Sequence, residues 1–173
     1  MLKILKSRGQ FKIFIMKKLF ILLSVCLSFR STYSQNITLN ESTGKYEMIL
    51  EVNMPSDNVS DNFDVIEEWL ITNYSNKYSS SKLSNKEKGK IIYGAAFETR
   101  IFPSKGLISF NYNIKFDKAK ITLTITDFAY TIIGSASLAA GAAMNFEDRS
   151  LAGKKKIIAE TETKILEAIN KIK

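Results

Sequence analysis

The chain offers few side chains with which to do covalent chemistry. It has no histidine and a single cysteine, Cys26. Neither a Ser-His-Asp nor a Cys-His arrangement can be assembled, and no Cys/His zinc site. Carboxylates, Ser-Lys pairs and oxygen-ligated metal remain. Asp57, Asp61 and Asp64 crowd the start of an expected helix, but their spacing misses the calcium-loop pattern and no glycine follows to make its turn. Acids at that position are favoured by the helix dipole without any ligand. Glu67 and Glu68 are adjacent on the same helix, point in different directions and make a poor catalytic pair. Glu160 and Glu162 fall under the same reading. Ser79-Ser80-Ser81-Lys82 can be drawn as a Ser-Lys dyad, although its all-polar setting suits a solvated loop better. There is no Gly-rich phosphate cradle. Phe110, Tyr112 and Phe116 recur at strand spacing, which marks them as core and not as a ligand platform. No catalytic, cofactor-binding or metal residue is therefore expected, and no cofactor.

Charge gives the next constraint. The chain has 173 residues, 25 Lys+Arg against 17 Asp+Glu and a formal net charge of +8, which at face value suggests nucleic acid or an anionic membrane. The surplus is local: residues 1–34 hold Lys3, Lys6, Arg8, Lys12, Lys17, Lys18 and Arg30 with no acid, which leaves 18 basic and 17 acidic groups beyond them. From Met16 the chain runs Met-Lys-Lys, then an apolar stretch of 11 residues from Leu19 to Phe29, then small residues up to Ser34 and Gln35. That is the pattern of a signal peptide, with cleavage expected between Ser34 and Gln35 and the true start expected at Met16. The apolar run falls short of the roughly 20 residues a membrane helix needs. The rival is an amphipathic surface anchor over residues 1–23. Lipidation of Cys26 is the lesser reading, because Val25 precedes it and no acidic sorting run follows. Membrane association is expected only if Cys26 is lipidated or the signal is retained. The expected location is exported: periplasm, outer envelope or extracellular.

The remainder is long enough for one self-sufficient core. A first strand is expected from Lys45 to Met54, where Tyr46, Met48, Leu50, Val52 and Met54 alternate with Glu47, Ile49, Glu51 and Asn53. Ile37 and Leu39 suggest a short partner strand around Ser42-Thr43-Gly44. After Pro55, Ser56 or Asp57 is placed to cap a helix whose stripe is Val59, Phe63, Ile66, Leu70 and Tyr74, flanked by Trp69. Residues 75–90 are expected to be a polar loop. A second strand follows at 91–101 with Gly94 at a bulge, then a hairpin turn over Phe102-Pro103-Ser104-Lys105-Gly106. The third strand puts Ile108, Phe110, Tyr112, Ile114 and Phe116 on one face and Ser109, Asn111, Asn113 and Lys115 on the other. The fourth has Ile121, Leu123 and Ile125 against Thr122, Thr124 and Thr126, with a change of register beyond Asp127 that implies a bulge. Residues 133–153 are expected to be a flexible Ala/Gly-rich insertion. Residues 154–173 are expected to form an amphipathic helix carrying Ile158, Ile165, Ile169 and Ile172, with Lys154, Lys155 and Lys156 opposing its dipole. The order strand-helix-strand-strand-strand-helix predicts an α+β domain, an antiparallel sheet of about four to five strands with two helices on one face.

Four segments carry a resemblance. Thr43-Gly44-Lys45-Tyr46 precedes the first strand, and Phe63 to Glu68-Trp69-Leu70 lies in the helix. Lys86-Glu87-Lys88-Gly89-Lys90-Ile91-Ile92-Tyr93-Gly94 enters the second strand and Leu123-Thr124-Ile125-Thr126-Asp127-Phe128 the fourth. Over about residues 36–132 the chain resembles the secreted domain-of-unknown-function family described as having a TBP-like fold, common in Bacteroidota. The resemblance implies a single TBP-like repeat over residues 35–132 and an exported context, and supplies no activity. Nucleic-acid readers of that fold use two repeats and a basic concave sheet. Here one repeat presents Glu47, Glu51, Asn53, Ser109, Asn111, Asn113, Lys115, Thr122, Thr124 and Thr126 toward solvent, two acids and one base, so nucleic acid is not expected as a partner. The expected function is binding or assembly in the cell envelope, with Ser109, Asn111, Asn113, Lys115, Thr122 and Thr124 as the face that meets an envelope protein or glycan. The alternative is a carboxylate-dependent hydrolase of envelope polymers, which needs two acids converging in a pocket.

Overall fold

Period-two alternation, interrupted where the chain must turn or bulge, accounts for most of the architecture. The computed structural model describes residues 36–76, 78–101, 104–133, 143–148 and 151–172. Met16, Cys26, the Ser34–Gln35 cleavage position and residues 134–142 lie outside the described residues. The elements in order are β1 (Thr38–Asn40), β2 (Lys45–Asn53), α1 (Val59–Tyr74), β3 (Ser80–Asn85), β4 (Lys90–Ile101), β5 (Ser104–Asp117), β6 (Lys120–Ile133), β7 (Ala143–Asn145) and α2 (Lys154–Ile169). They form an α+β fold with one antiparallel sheet, ordered β1-β2-β6-β5-β4-β3, and β7 adds to β6.

The sheet has seven strands, not the four to five that alternation predicts. The two unforeseen strands are β3 and β7. In place of the loop expected at 75–90, Ser80–Asn85 pairs with β4 along an edge. The sequence Ser80–Asn85 carries no apolar alternation, because an edge strand is held by backbone hydrogen bonds and needs no buried face. Strand β7 lies within the 133–153 stretch read as an insertion, is only three residues long and pairs with β6 at Ala129–Thr131. Beyond it Phe146 is fully buried and Leu151 nearly so. The turn expected over 102–106 is shorter: Ser104, Lys105 and Gly106 already pair with Ile101, Arg100 and Thr99. Gly94 pairs regularly with Asn111, and the irregularity beside it belongs to β3, where Lys82 is the extra residue between Ser81 and Leu83.

The bulge implied near Asp127 is present. Ser109 pairs with Ala129 and Asn111 with Thr126, so Asp127 and Phe128 together oppose Phe110. Asp127 takes φ 56, a left-handed conformation that Asp tolerates better than most residues. Inward-facing residues of β6 are Ile121, Leu123 and Ile125 before the bulge and Phe128 and Tyr130 after it, all buried.

Both helices cover the inward face. The α1 cap is Asn58, whose side chain accepts from the Ser60 amide at 2.9 Å; Ser56 and Asp57, the expected caps, precede it. Asn62 is fully buried and donates to the Ser56 and Lys118 carbonyls at 2.6 and 2.9 Å, tying the helix start to the β5–β6 turn. Trp69 stacks edge-on against Tyr112 at 5.5 Å and donates from Nε1 to the Ala168 carbonyl at 2.8 Å, so one indole joins α1, the sheet and α2. In α2 the buried set is Ile157, Thr161, Ile165, Ala168 and Ile169; Ile158 and Ile172 are half-buried. Gly153 starts that helix without a side-chain cap, and the ammonium of Lys154 lies 5.6 Å from the Tyr46 ring centroid, a cation–π contact that offsets its unfavourable place at the positive helix end.

Tyr74 and Tyr112 share a buried hydrogen bond of 2.7 Å between their hydroxyls, and burial raises both hydroxyl pKa values. Removing one hydroxyl leaves the other unsatisfied in the core. Tyr112→Phe is expected to cost about 1–3 kcal/mol, and the double variant Tyr74→Phe/Tyr112→Phe less than the sum of the singles. Urea unfolding of the four proteins measures this coupling.

Candidate functional site

The strand registers lay out the face of the sheet opposite the helices row by row. One row runs Ile49, Thr124, Asn113, Ile92, Leu83 from β2 to β3, and the next runs Glu51, Thr122, Lys115, Lys90, Asn85. In a third, Thr126 pairs with Asn111, which pairs with Gly94, and in a fourth Ala129 pairs with Ser109, which pairs with Ala96. All six residues expected to form a partner face thus lie on it: Ser109, Asn111, Asn113, Thr122 and Thr124 are half-buried, and Lys115 is exposed. No described helix packs there. Ile49 and Leu83 at the two ends of the first row are 46% and 43% exposed, so the face has apolar margins around an amide and hydroxyl centre. The Asn113 Oδ1 is buried and has no hydrogen-bond partner among the described residues, a costly state for an amide oxygen unless something donates to it.

A polar chain crosses this face. Lys82 donates to Asn111 Oδ1 at 2.5 Å, Asn111 Nδ2 donates to Asp127 Oδ2 at 2.8 Å, and Lys45 donates to Asp127 Oδ1 at 2.8 Å. Thr126 adds a bond to Oδ2 at 3.1 Å. Lys82 springs from the β3 bulge and reaches past Gly94 in β4, which has no side chain to block it. Hydrogen bonds from Lys45 and then Asn111 hold the Asp127 carboxyl below its ordinary pKa, and the same carboxylate raises that of Lys45. Sequence reasoning missed Lys82, Lys45 and Asp127 here. The face is also more basic than the ten residues read from sequence implied, since Lys82, Lys90 and Lys120 lie on it; Lys120 pairs with Glu51 at 3.2 Å.

The acids considered for chemistry are dispersed. Asp64 pairs with Lys86 at 2.6 Å, and Asp61 accepts from Ser56 at 3.4 Å. Glu67 accepts from Ser84, and Glu162 accepts from the Ile37 amide at 2.6 Å. Ser79 bonds the Ala96 amide, apart from Lys82. Phe110 and Tyr112 are core. Two acids do share a pocket: Glu98 and Glu160 line a cavity of about 220 Å³ with Thr99, Arg100, Lys105 and Lys164, where β4 and β5 meet α2. The buried Thr99 hydroxyl donates to Glu160 Oε1. Next to this corner a Cβ on Gly106 would stand 2.2 Å from Tyr130 Cε2, so glycine is what lets the Tyr130 ring lie there. Burial, and then the Glu160 charge, raise the Tyr130 hydroxyl pKa. A second, more apolar groove of about 460 Å³ runs between α1 and the end of α2, lined by Val65, Trp69 and Ile172 with Glu68 and Lys171 at its rim.

Residues 46–131 match the family described as domain of unknown function (DUF4468) with TBP-like fold. Among solved structures, a TBP-like protein from Parabacteroides distasonis is similar over 78% of this chain and 99% of its own, at 16% identity and a TM-score of 0.58. A DUF4468 family protein from Bacteroides ovatus is similar over 79% of this chain and 87% of its own, at 12% identity and a TM-score of 0.54. At these identities the likeness is one of fold. No curated protein matches the chain significantly.

Asp127 supplies a pH dependence whose sign is fixed. Its folded pKa lies below its unfolded value, so its contribution is present above the unfolded carboxyl range and is lost as pH falls through the folded pKa. Between pH 5 and pH 2 the native chain is expected to lose stability more steeply than Asp127→Asn, which keeps the left-handed backbone. The difference should shrink in 1 M salt, because the Lys45–Asp127 pair is exposed. Urea unfolding at several pH values reads it.

Proposed function

Residues 46–131 belong to the DUF4468 family with TBP-like fold, and from that premise we propose that the chain is an exported binding or assembly module of the cell envelope. It acts in the periplasm, outer envelope or extracellular space through the open face of its sheet. The observation that supports this reading is the face itself: the described helices cover one side of the seven-stranded sheet, and the other presents short amide and hydroxyl side chains between Ile49 and Leu83. Side chains of that kind form hydrogen bonds with a protein or glycan surface and lose little rotamer entropy in doing so. Asn113 sits at the centre of the face, its Oδ1 buried and without a hydrogen-bond partner among the described residues.

A photo-reactive amino acid placed at Asn113 or Thr124 in living cells is expected to give a discrete adduct, while the same group at exposed Thr163 on α2 gives none. Asn113→Arg with Thr124→Arg should weaken partner binding about tenfold or more, since two unpaired charges would be buried, and leave the folded spectrum intact. Equal labelling from Thr163, or undiminished binding by the folded double variant, removes the proposal.

The second reading is the carboxylate-dependent hydrolase. It is favoured by one observation, that Glu98 and Glu160 line the same pocket. It predicts release of soluble fragments from purified envelope polymers, reduced about 100-fold or more in Glu160→Gln, the scale of a lost general acid or base. Native protein that releases nothing ends it.

A further inference from the structure

The pocket between β4, β5 and α2 holds a feature that neither reading uses. Arg100 and Lys105 are directly opposite each other in the β4–β5 ladder, and like charges in that relation cost stability. Lys164 of α2 lines the same cavity, its ammonium 5.5 Å from the Phe97 ring centroid. Glu98 and Glu160 line the same space, yet among the described residues the ion pairs lie elsewhere, at Lys45–Asp127, Lys86–Asp64 and Lys120–Glu51. Three cations thus meet one cavity without being neutralised by its own acids.

The acids are arranged for a different task. Thr99 is 6% exposed and its hydroxyl fixes Glu160 through Oε1, which leaves Oε2 without a hydrogen-bond partner among the described residues. An oriented carboxylate with a free oxygen accepts from hydroxyl groups, and guanidinium and ammonium groups bind carboxylate. A ligand that satisfies both sets carries hydroxyls and a carboxylate on one small frame. Size narrows it further: about 220 Å³ lies below the roughly 300 Å³ at which pockets for drug-sized ligands begin, so the occupant is no larger than a monosaccharide.

We propose that this pocket binds a uronic acid, its carboxylate held by Arg100, Lys105 and Lys164 and its hydroxyls by Glu160 and Glu98. The sugar acid is either free or the terminal residue of an acidic polysaccharide. The site lies at the Arg100–Lys105 end of the β4–β5 ladder, away from Asn113 and Thr124, and requires no turnover.

The test is titration of the full chain followed by backbone amide NMR, with sodium D-glucuronate as probe and D-glucose and sodium acetate as controls. Glucuronate is expected to give saturable shifts centred on Thr99, Arg100, Lys105 and Lys164, while both controls bind at least about tenfold more weakly, each lacking one set of charge-assisted bonds. Arg100→Ala with Lys105→Ala should weaken glucuronate about tenfold or more without lowering the melting temperature, since both side chains are exposed and their mutual repulsion is removed. A tetrasaccharide ending in glucuronate that shifts the same residues assigns the polymer as source; one that does not, beside a binding monosaccharide, assigns the free acid. Absence of saturable glucuronate shifts overturns the proposal, as does acetate binding equally well, or a folded double variant that binds like the native chain. None of these results bears on Asn113 and Thr124, so the open-face reading stands or falls by itself.

Discussion

One extra residue in β6 decides how the rest of the sheet is used. With side chains alternating at a period of two, a continuous 14-residue strand that buried Ile121, Leu123 and Ile125 would expose Phe128 and Tyr130. Asp127 absorbs the difference: its left-handed backbone sets two residues against Phe110 and returns the aromatic half of the strand to the core. The bulge also divides the neighbours of β6. Lys120–Ile125 pairs with β2, and Ala129–Thr131 pairs with β7. Phe128 then stacks on Phe146 at 5.3 Å, just beyond β7. The residue that corrects the core also projects a carboxylate onto the opposite face, where it joins Lys45 and Asn111.

The two faces of the sheet are consequently stabilised by different physics. Inside, aromatic rings from α1 and four strands form a continuous contact network from Trp69 through Tyr112, Phe110 and Phe128 to Phe146, and each large side chain so buried contributes about 1.5–3 kcal/mol relative to exposure. Outside, the Lys82–Asn111–Asp127–Lys45 chain links β3, β5, β6 and the start of β2. Exposed pairs of this kind add little stability. Their effect is to fix the positions of side chains on a face that no described helix holds down.

How much of this the sequence reveals follows from what each element depends on. β2, β5 and β6 depend on burial of one face, so their alternation is visible, and the bulge shows as a break in it. α1 and α2 depend on an apolar stripe and are visible for the same reason. β3 depends on backbone pairing to β4, and Ser80–Asn85 carries no pattern that records it. β7 has three residues, too few for a period to show. The cap of α1 was legible as a class of residue but not as a position, because Ser56, Asp57 and Asn58 are all able caps. Six open-face residues could be placed from strand parity alone. The reach of Lys82 past Gly94 could not, since it needs the register of three strands and the β3 bulge, and the pocket at Thr99 needs the docking of α2 on the sheet.

Charge on the open side is distributed by place along the ladder and not by total. The β4–β5 ladder ends in like-charged pairs, Lys90 opposite Lys115 at one end and Arg100 opposite Lys105 at the other. Ten residues separate Lys90 from Arg100, about 34 Å along a strand. Between them the outward positions are Ile92, Gly94, Ala96 and Glu98 on β4 and Asn113, Asn111, Ser109 and Leu107 on β5, with a single charge among them. A ligand that bound by neutralising phosphates would need its cations spaced along one continuous track; the outward positions of β4 and β5 carry no cation between the two ends, and the Lys82 ammonium that reaches Asn111 is part of the chain that holds Asp127. Small residues at the centre let another backbone or a sugar ring approach the sheet closely, and cations at the ends repel a second positively charged surface that tried to add to the same ladder. Uncharged side chains thus occupy the middle of the β4–β5 ladder and cations its ends, and at the Arg100–Lys105 end lies the cavity that Glu160 and Lys164 of α2 also line.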